Sequence, residues 1–332
     1  MEVKEILGEG DLTKRFNEKD FLARIKIEAT VLKGLRHYFE GNGYIEVVAP
    51  HITKATGACE NIATMFDLDY FGRHVYLTQT GQLYLEVLSQ YLGKTWCTIH
   101  SFRAEPRVDN RHLTEFVLVE MEFLGGFNQL LSEIERAIGS AIRQVLMDCG
   151  EEMELLDIDK ERLKSYLPPF EKITYTEAVE ELSSMGVRWG DDLKSIHEKT
   201  LVKLHGNKPL FITHYPKAIK FFNMKENEEN PNIVNSADLL LPFSGEAVGA
   251  AEREHNYYRL VERLLASPMY RMLQERGGDI RDFDWYLDFW KNIGSKKHSG
   301  CGIGVARVVQ SVLGANDIRL TTAFPMNRET LY

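Results

Sequence analysis

The stretch FRAEPRVDNRHLTEFVLVEMEF, residues 102–123, constrains this chain more than any other. Residues 96–103 and 116–123 are two runs rich in β-branched and aromatic side chains, joined by a largely polar loop. The pattern predicts a long-looped antiparallel hairpin. Because strand side chains alternate, Arg103 and Glu105 share one face of the first strand, while Phe116, Leu118, Glu120 and Glu122 share one face of the second. Val117, Val119, Met121 and Phe123 then point into a core. Glu and Arg are seldom buried unless paired or bound to something charged. The loop adds Arg107, Arg111 and His112, and planar arginine forks suit phosphate oxygens. Composition alone fits either a triphosphate-binding face or a solvated charged hairpin.

With 332 residues the chain can bury a sizeable core. Its net charge of −9 gives no global basic field for a long nucleic acid, although local basic patches could still serve. Cys59, Cys97, Cys149 and Cys301 are scattered without CxxC spacing or paired histidines, and read as reduced thiols. No apolar run reaches the roughly 18 residues of a membrane helix. The start MEVKEILGEGDLTKRF has no apolar signal core. A cytoplasmic protein with no membrane partner is expected.

Apolar residues at Leu22, Ile25, Ala29, Leu32, Leu35 and Phe39 predict an amphipathic helix over 21–39, stopped by Gly41 and Gly43. GYIEVVAPHIT then reads as a strand ending at Pro50. The stripe Leu130, Ile134, Ala137, Ile138, Ala141, Ile142 and Val145 predicts a core helix ending near Gly150. Residues 151–207 are charged and helix-like, with a Pro168-Pro169 break and a Thr cap in TYTEAVEELSSMG. They read as a helical insertion whose charge runs are solvated faces.

FRAE, RHLTEF and VEME, in that order, resemble motif 2 of class II aminoacyl-tRNA synthetases, specifically the aspartyl and asparaginyl branch. The helix, glycine turn and proline-ended strand resemble motif 1, the dimer interface of that family. The glycine-rich HSGCGIGVAR before a helix resembles motif 3. The resemblance runs from Arg15 to Tyr332, excluding 151–207. It implies an α+β fold, an antiparallel β-sheet flanked by helices, as one catalytic domain over residues 1–332 that forms a homodimer through strand 43–50. It also implies ATP and Mg²⁺. Arg103 would grip the α-phosphate, Glu105 the adenine region, and Arg111 and His112 the outer phosphates, with Phe116 stacked under adenine. Gly302 and Gly304 would let backbone approach the adenine, and Arg307 would reach the γ-phosphate. ADLLLPFSGEAVGAAERE resembles the family's MDVLVPGVGEIIGGSQRE, in which Asp238 and Glu246 would hold Mg²⁺ through hard carboxylate oxygens.

For the amino acid, CENIATMF resembles an asparaginyl-enzyme loop of CEGAGEMF type and sets Glu60 against the substrate ammonium. TGQLYLE resembles SGQLHLE, which gives Gln82 a hydrogen bond to the amino acid and puts Glu86 near its side chain. Arg253 matches the side-chain-recognising arginine. Pro216, Lys217 and Lys220 match the family's YPKEIK segment near the pocket. Aspartyl enzymes carry a lysine where this chain has Leu85, a difference that favours asparagine over aspartate. Ala250 and Ala251 replace a Gly and a Ser, and two added methyl groups would narrow the pocket floor. His298 matches the PHGG histidine, but Trp290 stands in place of an arginine and Ala306 in place of an acid, as in a paralogue.

The implied chemistry is attack of the substrate carboxylate on the α-phosphorus, giving an aminoacyl-adenylate and pyrophosphate by positioning and charge neutralisation. Family members place an anticodon-reading OB-fold before motif 1, and residues 1–20 leave no room for one. The resemblance to the archaeal asparagine synthetase related to asparaginyl-tRNA synthetase then implies transfer of asparagine or aspartate to ammonia or another small amine. Transfer to tRNA or another macromolecule is the alternative. A non-catalytic paralogue that binds a partner or senses an amino acid is the third reading.

Overall fold

The computed structural model describes residues 17–55 and 62–330. Helix α1 (Lys19–Gly41) stops before Gly43, whose φ of 74° suits glycine. It buries Ile27, Val31, Leu35, Tyr38 and Phe39, while Leu22 is 45 % exposed and Ala29 faces outward. The expected helix is present, but its buried row is only partly the expected one. Apolar residues fill two adjacent rows of this helix, and the row through Ile27 and Val31 is the one that meets the core.

The strand expected at 43–50 is shorter. Two-residue pieces, β1 (Ile45–Glu46) and β2 (Ile52–Thr53), flank Pro50, which has no N–H for a ladder. Strand β2 joins β3 (Asp67–Tyr70) and β4 (Arg73–Leu77) in a small sheet ordered β2-β4-β3. Helix α2 (Gln82–Leu92) leads into the hairpin of β5 (Lys94–Phe102) and β6 (Glu115–Phe123), whose register runs from Lys94 opposite Phe123 to Phe102 opposite Glu115. Helix α3 (Phe127–Asp148) buries the predicted stripe and lies along α1, where Ser140 Oγ donates to the Gly34 carbonyl at 2.8 Å.

Next come α4 (Gly150–Leu155), α5 (Lys160–Lys164), β7 (Glu171–Thr174), α6 (Tyr175–Glu181) and α7 (Ser195–Leu204). This segment is not only helical. Strand β7 pairs in parallel with β8 (Leu210–Thr213), and Met153, Leu163 and Tyr166 enter the main core. Thr174 caps α6 in a capping box with Glu177, as its sequence suggests. The chain closes with β9 (Ser236–Leu241), β10 (Gly245–Glu252), α8 (Tyr257–Ala266), α9 (Pro268–Glu275), α10 (Asp284–Asn292), β11 (Ser299–Gly304) and α11 (Val305–Leu313).

The main sheet has the order β1-β5-β6-β11-β10-β9-β8-β7, with parallel pairs only at its two ends. On one face Val119, Met121, Phe123, Cys301, Ile303, Val248 and Leu239 pack with α1, α3 and α11. This is the expected α+β architecture, an antiparallel-rich sheet flanked by helices. Cys97, Cys149 and Cys301 are buried free thiols, and Cys59 falls outside the described residues.

Candidate active site

Residues paired across an antiparallel ladder point to the same face, so the register spells out the other side of the sheet. One row reads Thr95, Glu122, Gly300, Ala251 and Ser236 from β5 to β9. The next reads Cys97, Glu120, Gly302, Gly249 and Asp238. Beyond it lie Ile99, Leu118 and Gly304. The β11 glycines make a shelf beside the two β6 acids. A Cβ at Gly300 would overlap the Glu122 carboxyl group and the Met121 carbonyl, so only glycine fits there. The expected narrowing by two alanines is halved, since Ala250 belongs to the main core on the opposite face. Ala251 alone faces the site, packed with Met224 and Val234.

At one end of this face Glu86 of α2 is fully buried. Its Oε1 accepts from Gln82 Nε2 at 2.7 Å and Asn223 Nδ2 at 3.0 Å. Its Oε2 accepts from the Tyr286 hydroxyl at 2.7 Å and lies 3.2 Å from His298 Nε2. Burial works to raise the Glu86 pKa, but His298, Arg253 and Tyr286 together hold it below the ordinary value. The Trp290 ring stacks on His298 with centroids 4.8 Å apart. Arg253 reaches the buried Glu122 Oε1 through Nε at 3.0 Å and Nη2 at 2.7 Å. Burial works to push Glu122 up, with the Arg253 guanidinium opposing and the charge of Glu86 adding to the rise. Glu120 accepts from the Thr80 hydroxyl at 2.6 Å and the Gly81 N–H at 2.7 Å, which ties the start of α2 to β6.

At the other end the Arg103 guanidinium lies over the Phe116 ring, 5.0 Å from its centroid. Arg307, in the first turn of α11, donates to the Ser244 carbonyl and, at 3.0 Å, to the Arg111 carbonyl. Burial and then the Arg111 charge push Arg307 down to about 10, with Glu198 and Glu246 opposing and Arg103 adding. It stays charged at neutral pH. Arg111 donates to Ser195 and, at 3.0 Å, to Glu198 Oε2. On β9, Asp238 accepts from Lys220 Nζ with both oxygens, at 3.0 and 2.7 Å. Burial works to lower the Lys220 pKa, but Asp238 and Glu246 outweigh it and raise it. The same two acids, after burial, raise Tyr215, whose ring lies 3.9 Å under Lys220 Nζ.

These couplings join Arg103, Arg111, Arg307, Asp238 and Glu246 in one charged cluster beside Phe116, Gly302 and Gly304. His112 is turned to Asp109, with Nδ1 2.8 Å from Oδ2. Glu105 is half-buried, and its N–H donates to the Arg103 carbonyl at 2.7 Å. Glu60 lies outside the described residues. Sequence reasoning missed Glu198, read as part of a solvated face. It is 8 % exposed, and besides Arg111 it takes the Glu246 N–H at 3.3 Å. Nothing in its spacing marks it; the fold brings it there. Asn223 and Tyr286 were missed for the same reason.

A family described as tRNA synthetases class II (D, K and N) matches residues 12–328. The asparagine–tRNA ligase of Pyrococcus abyssi is 38 % identical over 314 residues, covering 93 % of this chain and 69 % of that protein. The solved structure of asparaginyl-tRNA synthetase from Pyrococcus horikoshii complexed with asparaginyl-adenylate superposes with a TM-score of 0.88 at 36 % identity, over 97 % of this chain and 73 % of that one. The Entamoeba histolytica asparaginyl-tRNA synthetase with asparaginyl-adenylate gives 0.80 at 28 % identity, over 94 % and 68 %. With its sheet, its charged cluster and these relatives in agreement, the chain belongs to the class II tRNA synthetases of the D, K and N group, ligases that form an aminoacyl-adenylate.

Proposed function

We propose that the protein activates asparagine with ATP to asparaginyl-adenylate and passes the acyl group to a ribose hydroxyl at the end of a tRNA. The observation that carries this reading is the continuous sheet face running from the Glu86, Gln82 and Arg253 pocket to the Arg103, Phe116 and Arg307 cluster. An amino acid and a triphosphate laid along that face would meet over the glycine shelf. Arg253 is already matched by Glu122, and Glu86 adds another acid, so a neutral carboxamide suits the floor better than aspartate's second carboxylate.

In the first step an oxygen of the asparagine carboxylate attacks the α-phosphorus and pyrophosphate leaves. Arg103 balances charge on the α-phosphate, Arg307, Arg111 and His112 balance it on the leaving pyrophosphate, and Phe116 fixes the adenine. Gln82, with Glu60, orients the amino acid. Glu86 acts through Gln82, which it holds. Asp238 and Glu246 are two hard carboxylates beside this cluster, and among the described residues no group of three potential ligands surrounds one point. That donor set fits a Mg²⁺ ion that takes the rest of its shell from phosphate and water and would share Asp238 with Lys220. When bound, such an ion supplies neutralisation of phosphate charge.

In the second step the acceptor hydroxyl attacks the acyl carbon and AMP leaves. The relatives' names favour tRNA as acceptor and give no support to the transfer to ammonia expected from the sequence. A homodimer in the cytoplasm completes the proposal. The edge strand β1 and its flank expose Ile45, Ile52 and Val48, the last 97 % exposed, as unpartnered apolar side chains. Among the described residues no helix is long and apolar enough to cross a membrane. ATP–pyrophosphate exchange with asparagine and with aspartate, followed by charging of total tRNA, tests the reading. Exchange with asparagine and charged tRNA are expected. Exchange with aspartate alone, or amide formed from ammonia without tRNA charging, would overturn it.

A further inference from the structure

A cavity of about 590 Å³ lies outside the catalytic face, where α5, α7 and the β9–β10 turn meet. That volume is within the range of about 300–1,000 Å³ typical of small-molecule sites. Its walls include Arg162, Lys199, Lys203, Tyr166 and Phe243, and among the described residues no carboxylate lines it. In a chain with 49 acids against 40 bases, three cations gathered without an acid stand out. Arg162 donates to the Ser311 and Val312 carbonyls, both at 2.8 Å, so its position is fixed while no acid among the described residues pairs with its charge. Its guanidinium lies 5.2 Å from the Phe243 ring centroid and 5.5 Å from that of Tyr166. Among the described residues neither Lys199 nor Lys203 has a carboxylate partner.

Phe243 is the second unusual feature. Its φ is 70°, a strained angle for a bulky side chain, and its ring is 41 % exposed at the cavity. A plain turn would be better served by glycine or asparagine there. The strain holds an aromatic ring beside Arg162, in a wall shared with Lys199 and Lys203. Gly245, which also lines the cavity, lies against the Glu198 carboxylate that holds Arg111, so the cavity adjoins the Arg111 end of the catalytic cluster.

We infer that this cavity is a second nucleotide-binding site, which takes a nucleoside 5′-phosphate with its base stacked on Phe243 and its phosphate between Lys199 and Lys203. Aromatic stacking with flanking cations is how proteins hold single nucleotide units without reading sequence. The unit comes either from a free mononucleotide or from the end of an RNA strand. The inference is independent of which acceptor the enzyme uses.

Equilibrium dialysis of the full chain with cytidine 5′-monophosphate, and with a short 5′-phosphorylated single-stranded RNA, tests it. Four proteins are compared: the parent, Lys199→Glu/Lys203→Glu, Phe243→Ala, and Arg103→Ala, which disables the catalytic cluster. Binding is expected in the parent and in Arg103→Ala, weakened at least about tenfold by the double charge reversal and several-fold by Phe243→Ala. ATP–pyrophosphate exchange by the charge-reversal variant should equal that of the parent, which shows that it is folded. Binding of both probes identifies a mononucleotide pocket, and binding of the RNA alone identifies a strand end; either supports the inference. No binding of either probe overturns it, as does binding indifferent to the charge reversal or lost in Arg103→Ala alone.

Discussion

Replacing Gly300 by alanine should cost the protein much of its stability, and replacing Gly302 should cost it almost none. The two glycines lie two residues apart on β11 and face the same side. At Gly300 a methyl group would occupy the place of the Glu122 carboxyl and press on the Met121 carbonyl, a backbone atom of the neighbouring strand that cannot swing away. Glu122 would have to leave Arg253, and breaking a buried charge pair costs about 3–5 kcal/mol. Overpacking against the strand adds about 1–3 kcal/mol. The sum is about 4–8 kcal/mol. For 332 residues the entropy of unfolding is about 0.7 kcal/mol/K, so the melting temperature should fall by about 6–11 °C. At Gly302 the nearest atom to an added Cβ is Glu120 Oε1 at 3.7 Å, an ordinary contact, and the shift should stay within about 2 °C. That methyl would instead project over the shelf where the nucleotide is proposed to lie, and pyrophosphate exchange should fall roughly tenfold or more with ATP KM raised. Calorimetric melting and exchange kinetics on both variants decide the matter. A Gly300→Ala protein that melts with the parent, or a Gly302→Ala protein with unchanged exchange, would refute this account of the shelf.

Glu198→Ala removes the partner that orients Arg111, and ATP KM should rise about three- to tenfold while asparagine KM holds; equal rises in both would show a general loss of structure. His205 has Nδ1 2.9 Å from Glu171 and Nε2 3.0 Å from Glu181, a geometry that needs both nitrogens protonated. Burial lowers its pKa, but the two glutamates outweigh burial and raise it. The stabilisation is therefore full below about pH 6.5 and is lost as pH rises through the higher folded value. The melting-temperature gap between the parent and His205→Gln should close over that interval, and a gap independent of pH would rule the clamp out. Val48→Glu puts a charge on a fully exposed position of the β1 flank, so it should leave melting of the subunit intact while halving the mass seen in sedimentation; an unchanged mass would place any dimer elsewhere.

Most of the hairpin was legible because its signals are local, though β5 ends at Phe102 and leaves Arg103 and Glu105 beyond the strand whose face they were expected to share. Period-two alternation fixed which side of β6 enters the core, and the register confirms Val119, Met121 and Phe123 there. The face of α1 was not legible, since two apolar rows compete and only the packing of α3 chooses between them. Motif strings singled out Asp238 and Glu246, yet the Lys220 grip on Asp238 depends on how the chain between β8 and β9 folds back on itself, which no spacing reveals. Ala250 and Ala251 looked equivalent until strand alternation put them on opposite faces. Glu198 was invisible for a deeper reason. A charged helical segment has the same composition whether its acid meets solvent or an arginine 87 residues earlier in the chain.

Four donors from residues 82, 223, 286 and 298 converge on the Glu86 carboxylate, drawn from segments that span most of the polypeptide. Such a hub sets the recess before any guest arrives, so little ordering is left for the guest to impose. It also means that selectivity cannot drift one residue at a time: loss of any one donor leaves the others around a poorly compensated charge. A sister protein with a different preferred amino acid should therefore differ at several of these five positions together.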